Sequence, residues 1–567
     1  MKKLLLSILA ILLCVSAITV LASCTKEELK APTFEIIDPV AYKSIVEFEI
    51  AESDPDNIGD IISIELYKGD SKIRTAENKD VRIFEGLDSN TTYTIKVKYE
   101  YDLQNGEGKK VGEISATVKT MAGYTSSNDI KRDWSGKTLN IACSTWSAEP
   151  GAPWSVLELC VDYGKESGFG TKIDAAVLER QEFIKETYGV DLNWINATRY
   201  GMHDALEIAI SSGNVYYDLA LPRAMRVQSI VAGGYIYDLA NREYIDFDNS
   251  YYSQNSVDTY TAKGHTFFVD GDFSNISEET AKVLYFNKTL LGGEQAAKDL
   301  YRKVRENKWT YDELVSLAIA AYKDDGDGMH DDNDTYGLKM SSITDYYSFF
   351  GVRQAGVNSE TGEWMIAFND PKINDVISII LTSFNANWTW HQLTYSPIEK
   401  EALLGNRLLF LSDFMQYAES YTVNGNVGVI PFPMLDEDQG RYCIPCANSM
   451  IVLMCIPKNT QDRAMSEYFL DVLAWTGNEY TYKAYLEQKA EYFKANEDME
   501  MLTDYIFPNI TYDAGAAIGW NSLMGEALTD SYKGSVNNFD NAYAEQEPGA
   551  LETIKNWNTA WGAYKER

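Results

Sequence analysis

The stretch Lys137-Thr138-Leu139-Asn140-Ile141-Ala142-Cys143 decides the fold of most of this chain. It is short and largely apolar, as a buried strand is. An amphipathic run follows at 175–188, where Val177, Leu178, Phe183 and Ile184 mark the apolar face. Gly189 is placed to end that helix, and 190–195 reads as the next strand. Residues 203–211 are helical in pattern, and Tyr217-Asp218-Leu219-Ala220-Leu221-Pro222 is a third strand that runs into a loop. Strand–helix–strand order at this spacing predicts parallel pairing in an α/β layer.

Upstream the pattern differs. Residues 122–136 include Ala122-Gly123, Thr125-Ser126-Ser127-Asn128 and Ser135-Gly136, a linker composition. Residues 32–121 read as an all-β module. Its runs at 45–50, 61–67, 93–99 and 114–118 carry alternating or mixed apolar and polar positions, with turns at Asp54-Pro55-Asp56-Asn57, Gly69-Asp70 and Asn105-Gly106. Within it, Gly86-Leu87-Asp88-Ser89-Asn90-Thr91-Thr92-Tyr93-Thr94-Ile95-Lys96-Val97 resembles the fibronectin type III pattern. That resemblance implies a β-sandwich in which the Tyr93 hydroxyl bonds back to the upstream turn. With no aromatic patch or metal cluster in the stretch, the module reads as a spacer, with ligand binding the alternative.

The chain opens on Met1-Lys2-Lys3 and an apolar run at 4–21, the parts of a secretory signal. The run is barely long enough to span a bilayer, so an uncleaved anchor is the alternative. Leu21-Ala22-Ser23-Cys24 resembles a bacterial lipobox. The resemblance implies a signal peptide at 1–23, lipid on Cys24, a tether at 24–31, and a protein held outside the cell on its membrane.

Composition narrows the classes. The chain of 567 residues exceeds one core and predicts two to four domains. Hydrophobic residues at 45% allow sizeable cores. A formal net charge of −34 argues against nucleic acid and against broad contact with anionic lipid. Of seven cysteines, Cys14 leaves with the signal and Cys24 takes lipid, and the odd remainder is no disulfide framework. Cys443-Ile-Pro-Cys446 has redox or metal-motif spacing. With no second pair and only four His in the chain, it reads as small residues near a strand. Enzyme readings lack their motifs: there is no Gly-x-Ser-x-Gly, His-Glu-x-x-His or phosphate-cradling glycine loop, and no carboxylate pair stands out.

From 137 onward the chain resembles extracellular solute-binding proteins of ABC transporters, nearest to the sugar-type group. The resemblance starts at Leu178-Glu179-Arg180-Gln181-Glu182-Phe183-Ile184-Lys185-Glu186-Thr187-Tyr188-Gly189-Val190. It continues, in order, through Gly233-Gly234-Tyr235-Ile236-Tyr237-Asp238-Leu239, His265-Thr266-Phe267-Phe268-Val269-Asp270-Gly271-Asp272 and Leu284-Tyr285-Phe286-Asn287-Lys288. Trp309-Thr310-Tyr311-Asp312-Glu313-Leu314 reads as a helix start, with Thr310 as N-cap and Glu313 closing a capping box. Gly405-Asn406-Arg407-Leu408-Leu409-Phe410 and Val427-Gly428-Val429-Ile430-Pro431-Phe432-Pro433 complete the series.

The resemblance implies a two-lobed periplasmic-binding-protein-like α/β fold (type II-like) over 137–567, with lobe 1 near 137–272, lobe 2 near 283–430 and the remainder shared. A ligand would lie in the interlobe cleft, beyond the carboxyl ends of strands, and be captured by hinge closure. Aromatic rings suit the apolar faces of sugars; carboxylates and amides suit their hydroxyls. On loops at strand ends these types are Trp146, Arg223, Asp270, Asp272, Asp413, Tyr417, Trp520 and Asn521, the candidate ligand residues, each with lobe packing or capping as its alternative role. The clusters Tyr346-Tyr347-Ser348-Phe349-Phe350 and Trp388-Thr389-Trp390-His391 read as helix core.

The acidic stretch 323–334 compares with an EF-hand loop. Asp325, Asp327, Gly328 and Asp331 fit positions 3, 5, 6 and 9, with Asp334 in place of Glu at 12; Lys323 at position 1 departs from the pattern. The family resemblance implies a structural Ca²⁺ on Asp325, Asp327, Asp331 and Asp334; a solvated acidic turn is the alternative. No other cofactor is required. The whole reading is a monomeric, lipid-anchored binding protein that delivers an oligosaccharide to ABC permease subunits. The alternative is a surface glycan-binding or sensing lipoprotein without a transport partner.

Overall fold

The computed structural model describes residues 29–41, 46–76, 78–84, 86–88, 90–120, 127, 132–144, 171–197, 201–240, 242–340, 346–368, 370–390, 397–517 and 539–564. The chain divides into two units, Met1–Tyr124 and Thr125–Arg567.

The first unit is built of strands β1 (Thr33–Ala41), β2 (Val46–Ser53), β3 (Gly59–Lys68), β4 (Ser71–Thr75), β5 (Ile83–Phe84), β6 (Thr92–Tyr101) and β7 (Lys110–Lys119). They form two sheets, ordered β1-β2-β5 and β4-β3-β6-β7. Period-two alternation puts Tyr93, Ile95 and Val97 of β6 inward, against Val46, Phe48, Ile64, Leu66 and Phe84. Tyr93 Oη accepts from the Asp88 N–H at 2.9 Å, the backward contact expected of that tyrosine. On the outer face Glu65 accepts from Tyr67 Oη at 2.8 Å and faces Lys72 Nζ at 3.1 Å.

Two larger sheets organise the second unit, beside three two-stranded pairings among the described residues. In the first, β8 (Thr138–Ser144) lies between β9 (Asp191–Ala197) and β10 (Leu219–Leu221), all parallel as the spacing predicts. Bridges extend it: 452–455 runs antiparallel to the β10 end through Ala220–Cys455 and Arg223–Val452, and Val269 pairs with Met454. Between β8 and β9, helix α1 (Thr171–Tyr188) buries Ile173, Val177, Ile184 and Tyr188, the four-and-three spacing of one helical face. Helix α2 (Met202–Ser212) covers the next connection and ends on Gly213.

The second sheet has β11 (Lys282–Asn287) at its centre. Its neighbours are β13 (Leu408–Phe414) and β14 (Val427–Ile430), both antiparallel, and β12 (Tyr336–Met340) pairs parallel to β13 on the far side. The chain passes from the first sheet to the second through 270–281 and returns through 431–450. The two passages touch where Ala281 bridges Cys446, and Ile444 pairs with Ile510 beside them.

Three helices complete the second unit's packing. Helix α3 (Arg463–Thr476) is buried along almost its whole length and is capped by Asp462, which accepts from Met465 N–H at 3.1 Å. It runs through a π-helical turn, Gly477–Tyr482, into α4 (Lys483–Tyr492). The C-terminal α5 (Phe539–Gly562) sets Trp557 and Trp561 one turn apart against Trp364. The hairpin formed by Ala355–Val357 and Trp364–Ile366 packs on α5, whose Trp561 also stacks on Phe267.

Three local expectations are corrected. Thr310 precedes the helix Tyr311–Ala321 but makes no side-chain cap bond; it bridges Met434, and Glu313 is taken by Lys303. Trp390 is buried, but it follows the helix Ile373–Phe384 and stacks on Tyr336 rather than standing in a helix. Among the described residues, Cys143, Cys443, Cys446 and Cys455 are buried, and no helix is long and apolar enough to cross a membrane.

Candidate functional site

Four segments converge where the first passage leaves the first sheet. Tyr252 bridges Gly271, and the Asp272 N–H donates to Tyr251 O at 2.9 Å. A Cβ on Gly271 would stand 2.5 Å from Tyr251 O, so only glycine permits this approach. From the other side the π-helical turn presses on the passage: a Cβ on Gly477 would fall 2.0 Å from Asp272 O. The wider turn places Asn478 and Tyr482 over the passage, and Asn478 Nδ2 donates to Asp272 Oδ2 at 2.6 Å. Phe507, Pro508, Ile510 and Tyr512 close the fourth side.

Together they enclose a cavity of about 410 Å³, within the range of small-molecule sites. Its walls carry the carboxylates of Asp270, Asp272 and Glu278, the rings of Tyr252, Tyr482, Tyr512 and Phe507, and the amides of Gln254, Asn255 and Asn478.

Burial dominates the electrostatics. It pushes Asp270 up to about 6, against the pull of the Ser277 and Tyr512 hydroxyls and the Gly271 N–H. Tyr512 Oη donates to Asp270 Oδ2 at 2.7 Å. Burial pushes Asp272 up to about 7, opposed by Asn478 and reinforced by the charge of Asp270. Glu278 is raised well above the usual carboxylate range by burial, then by Asp270 and Asp272, and its Oε2 is buried without a hydrogen-bond partner. The adjacent Glu279 shows the contrast: it meets Lys489 Nζ at 2.5 Å. Among the described residues no lysine or arginine lines the cavity. Such a site offers acceptors and, once its acids protonate, donors, beside flat apolar faces.

The candidate residues distribute unevenly. Asp270 and Asp272 stand together in this cavity. Arg223 is buried at the end of β10, ahead of the short turn Ala224–Arg226, and bridges Val452 rather than lining the cavity. Asp413 is buried in the second sheet, where it accepts from Tyr421 Oη at 2.7 Å and from the Phe414 N–H at 2.8 Å. Burial raises its carboxyl, with Lys282 and Lys339 among the groups that oppose the rise, which is the signature of a core polar cluster. Tyr417 lies in the short turn Met415–Tyr417 with its ring centroid 6.2 Å from Tyr421. Trp146, Trp520, Asn521 and Cys24 lie outside the described residues.

In the acidic loop, Asp324, Asp325 and Asp327 bring one carboxylate oxygen each to within 4.8 Å of one another. Asp331 and Asp334 are not part of that group. Asp334 is buried and accepts from the Asp325 N–H at 3.0 Å, and Asp331 caps its own turn by accepting from the Asn333 N–H at 2.8 Å. Of the four residues expected to hold Ca²⁺, Asp325 and Asp327 belong to that group, and Asp324 joins them.

Sequence reasoning missed Glu278, Asn478, Tyr482 and Tyr512. Only Glu278 had a readable signal, an acid eight residues beyond Asp270 on the same passage; the others arrive by tertiary packing.

No protein-family model matches the chain, and no curated protein matches it. Among solved structures it is similar to the maltose-bound MalE3 of T. maritima, at 15% identity over 75% of this chain and 98% of that one, with a TM-score of 0.43. It is similar to the galacto-N-biose/lacto-N-biose I-binding protein of the ABC transporter of Bifidobacterium longum, in complex with lacto-N-biose, at 14% identity, 74% and 98% coverage and a TM-score of 0.47. The cyclic alpha-maltosyl-1,6-maltose binding protein of Arthrobacter globiformis matches at 12% identity, 74% and 99% coverage and a TM-score of 0.48. The sheets themselves define the class: a two-lobed α/β fold of the periplasmic-binding-protein kind, following a β-rich N-terminal unit in the chain.

Proposed function

We propose that this chain is an extracytoplasmic solute-binding protein of an ABC importer, and that its solute is a carbohydrate. The observation that carries the reading is the cavity at the interlobe passage, where rings, carboxylates and amides surround a space large enough for a small solute. Rings take the C–H faces of a sugar, and Asp270, Asp272, Asn255 and Asn478 take its hydroxyls. Because the cavity is walled by the passage between lobes, contacts made there bias the hinge toward one arrangement. The sequence resemblance supplies the solute class, oligosaccharide, and the partner, a pair of permease subunits.

Calorimetry and thermal shift against mono- and oligosaccharides, amino acids and peptides test this. Sugars are expected to bind, with Asp272→Asn and Tyr482→Ala weakening binding about tenfold, roughly 1.4 kcal/mol each. A panel in which only peptides stabilise the protein overturns the sugar assignment. The remaining parts of the reading are lipid on Cys24 and a Ca²⁺ on the acidic loop of Asp325, Asp327, Asp331 and Asp334. Globomycin should accumulate a larger precursor, and EGTA should lower the melting temperature; unchanged values remove each in turn.

A further inference from the structure

On the other side of the 510–513 segment lies a second cavity, of about 200 Å³, and its charge is reversed. Arg353, Lys372 and Arg441 line it. None of the three makes an ion pair with a described residue. Arg353 Nη1 donates to Thr259 Oγ1 at 3.3 Å, and Arg441 Nη1 reaches Asn255 Oδ1 at 3.5 Å. All three act on one point of the wall: burial raises the Cys443 thiol, and Arg441, Arg353 and Lys372 each oppose the rise.

Two carboxylates share the wall, and both are engaged. Asp513 accepts from the N–H groups of Gln354 (3.0 Å), Ala355 (3.4 Å) and Gly515 (2.8 Å) and from Tyr347 Oη (3.3 Å). Asp370 accepts from the Lys372 N–H at 2.8 Å. The side-chain amide oxygen of Asn448, also on the wall, is buried without a hydrogen-bond partner. In a chain with 84 acidic and 50 basic residues, three cations around one hollow with no described carboxylate in ion-pair contact are a departure, although the charge of Arg353 does act on Asp513 across the wall.

We propose that this cavity binds the carboxylate of a hydroxylated small acid, a sugar acid being the fitting class. The guanidinium and ammonium groups take the carboxylate, for which arginine's fork is suited. The Asn448 oxygen accepts from a neighbouring hydroxyl, which sulfate lacks. At about 30 Å³ per water, the hollow has room for roughly six or seven waters, the scale of one small ring and not of an extended chain.

The proposal stands apart from the carbohydrate reading of the acidic cavity and is tested separately. Calorimetry and thermal shift on the full chain compare galacturonate, galactose and sodium sulfate, at 50 and 500 mM salt. Galacturonate is expected to bind at least tenfold more tightly than either of the others, and more weakly at high salt. Arg353→Gln/Lys372→Gln should lose tenfold or more in galacturonate affinity. Lys372→Gln alone, which removes a side chain with no hydrogen bond or ion pair to a described residue, keeps the test valid if the double variant unfolds, and should lose at least threefold. Neutral-oligosaccharide binding by Lys372→Gln should equal that of the parent. Galactose or sulfate binding as tightly as galacturonate, or full galacturonate affinity in folded Lys372→Gln, overturns the proposal.

Discussion

The two cavities flank one short segment and share one side chain, Tyr512, yet they solve the problem of buried charge in opposite ways. In the acidic cavity three carboxylates face one another without a cation, and the cost is met by protonation, so their acidities shift. In the other, arginine keeps its proton, so the charge is met by solvent: Arg353 and Lys372 are half-buried and Arg441 is exposed. The first is a buried site that pH can retune, the second a partly wet site that salt can screen.

The largest effect is expected of Gly477→Ala. The added Cβ meets backbone 2.0 Å away, so either the helix or the passage must move. Overpacking of this kind costs about 1–3 kcal/mol or more. A large fall in melting temperature is expected with sugar binding lost, while galacturonate still binds the remaining folded protein.

Next is pH. Asp270 and Asp272 have folded-state values raised from 3.8 to about 6 and about 7. A raised carboxyl holds its proton longer in the folded state, so its contribution is full below about 4 and is lost as pH rises toward 7. Melting temperature should therefore fall between pH 4 and 7, and Asp272→Asn should flatten that fall. An unchanged profile in the variant would detach the fall from this site.

Tyr512→Phe should have a smaller effect. It removes the hydroxyl donated to Asp270 but leaves the ring in both walls, a loss of about 1–3 kcal/mol. Galacturonate affinity should hold while the pH-dependent part of the melting curve grows.

The smallest effect lies in the N-terminal unit and has the opposite sign. Glu65 is held below its ordinary value, first by the Tyr67 hydroxyl, then by Lys72 and Lys98. Its contribution is present above about 4.5 and is lost as pH falls below that. Glu65→Gln should cost at most about 1 kcal/mol near neutral pH, nothing in strong acid, and leave both cavities untouched.

How much of this was legible in sequence depends on what brings each group to its place. The α/β pattern at 137–222 was readable because neighbours in sequence pair directly. Asp270 and Asp272 were readable as acids following a buried apolar run. Asp413 looked the same, but its strand is flanked by β11 and covered by Tyr421, so its carboxylate belongs to the core. Asn478 and Tyr482 were invisible because nothing in Gly477-Asn478-Glu479-Tyr480-Thr481-Tyr482 announces an extra residue in a helical turn. Arg353, Lys372 and Arg441 are dispersed over 89 positions and meet only through folding.

The indoles of Trp364, Trp557 and Trp561 have centroids 4.4–5.4 Å apart. At that spacing their electronic transitions couple, so the near-ultraviolet dichroism of the protein carries a signal from the hairpin seated on the C-terminal helix. That band would report the loosening of this one contact even while the rest of the chain stays folded, giving an optical readout that needs no added dye.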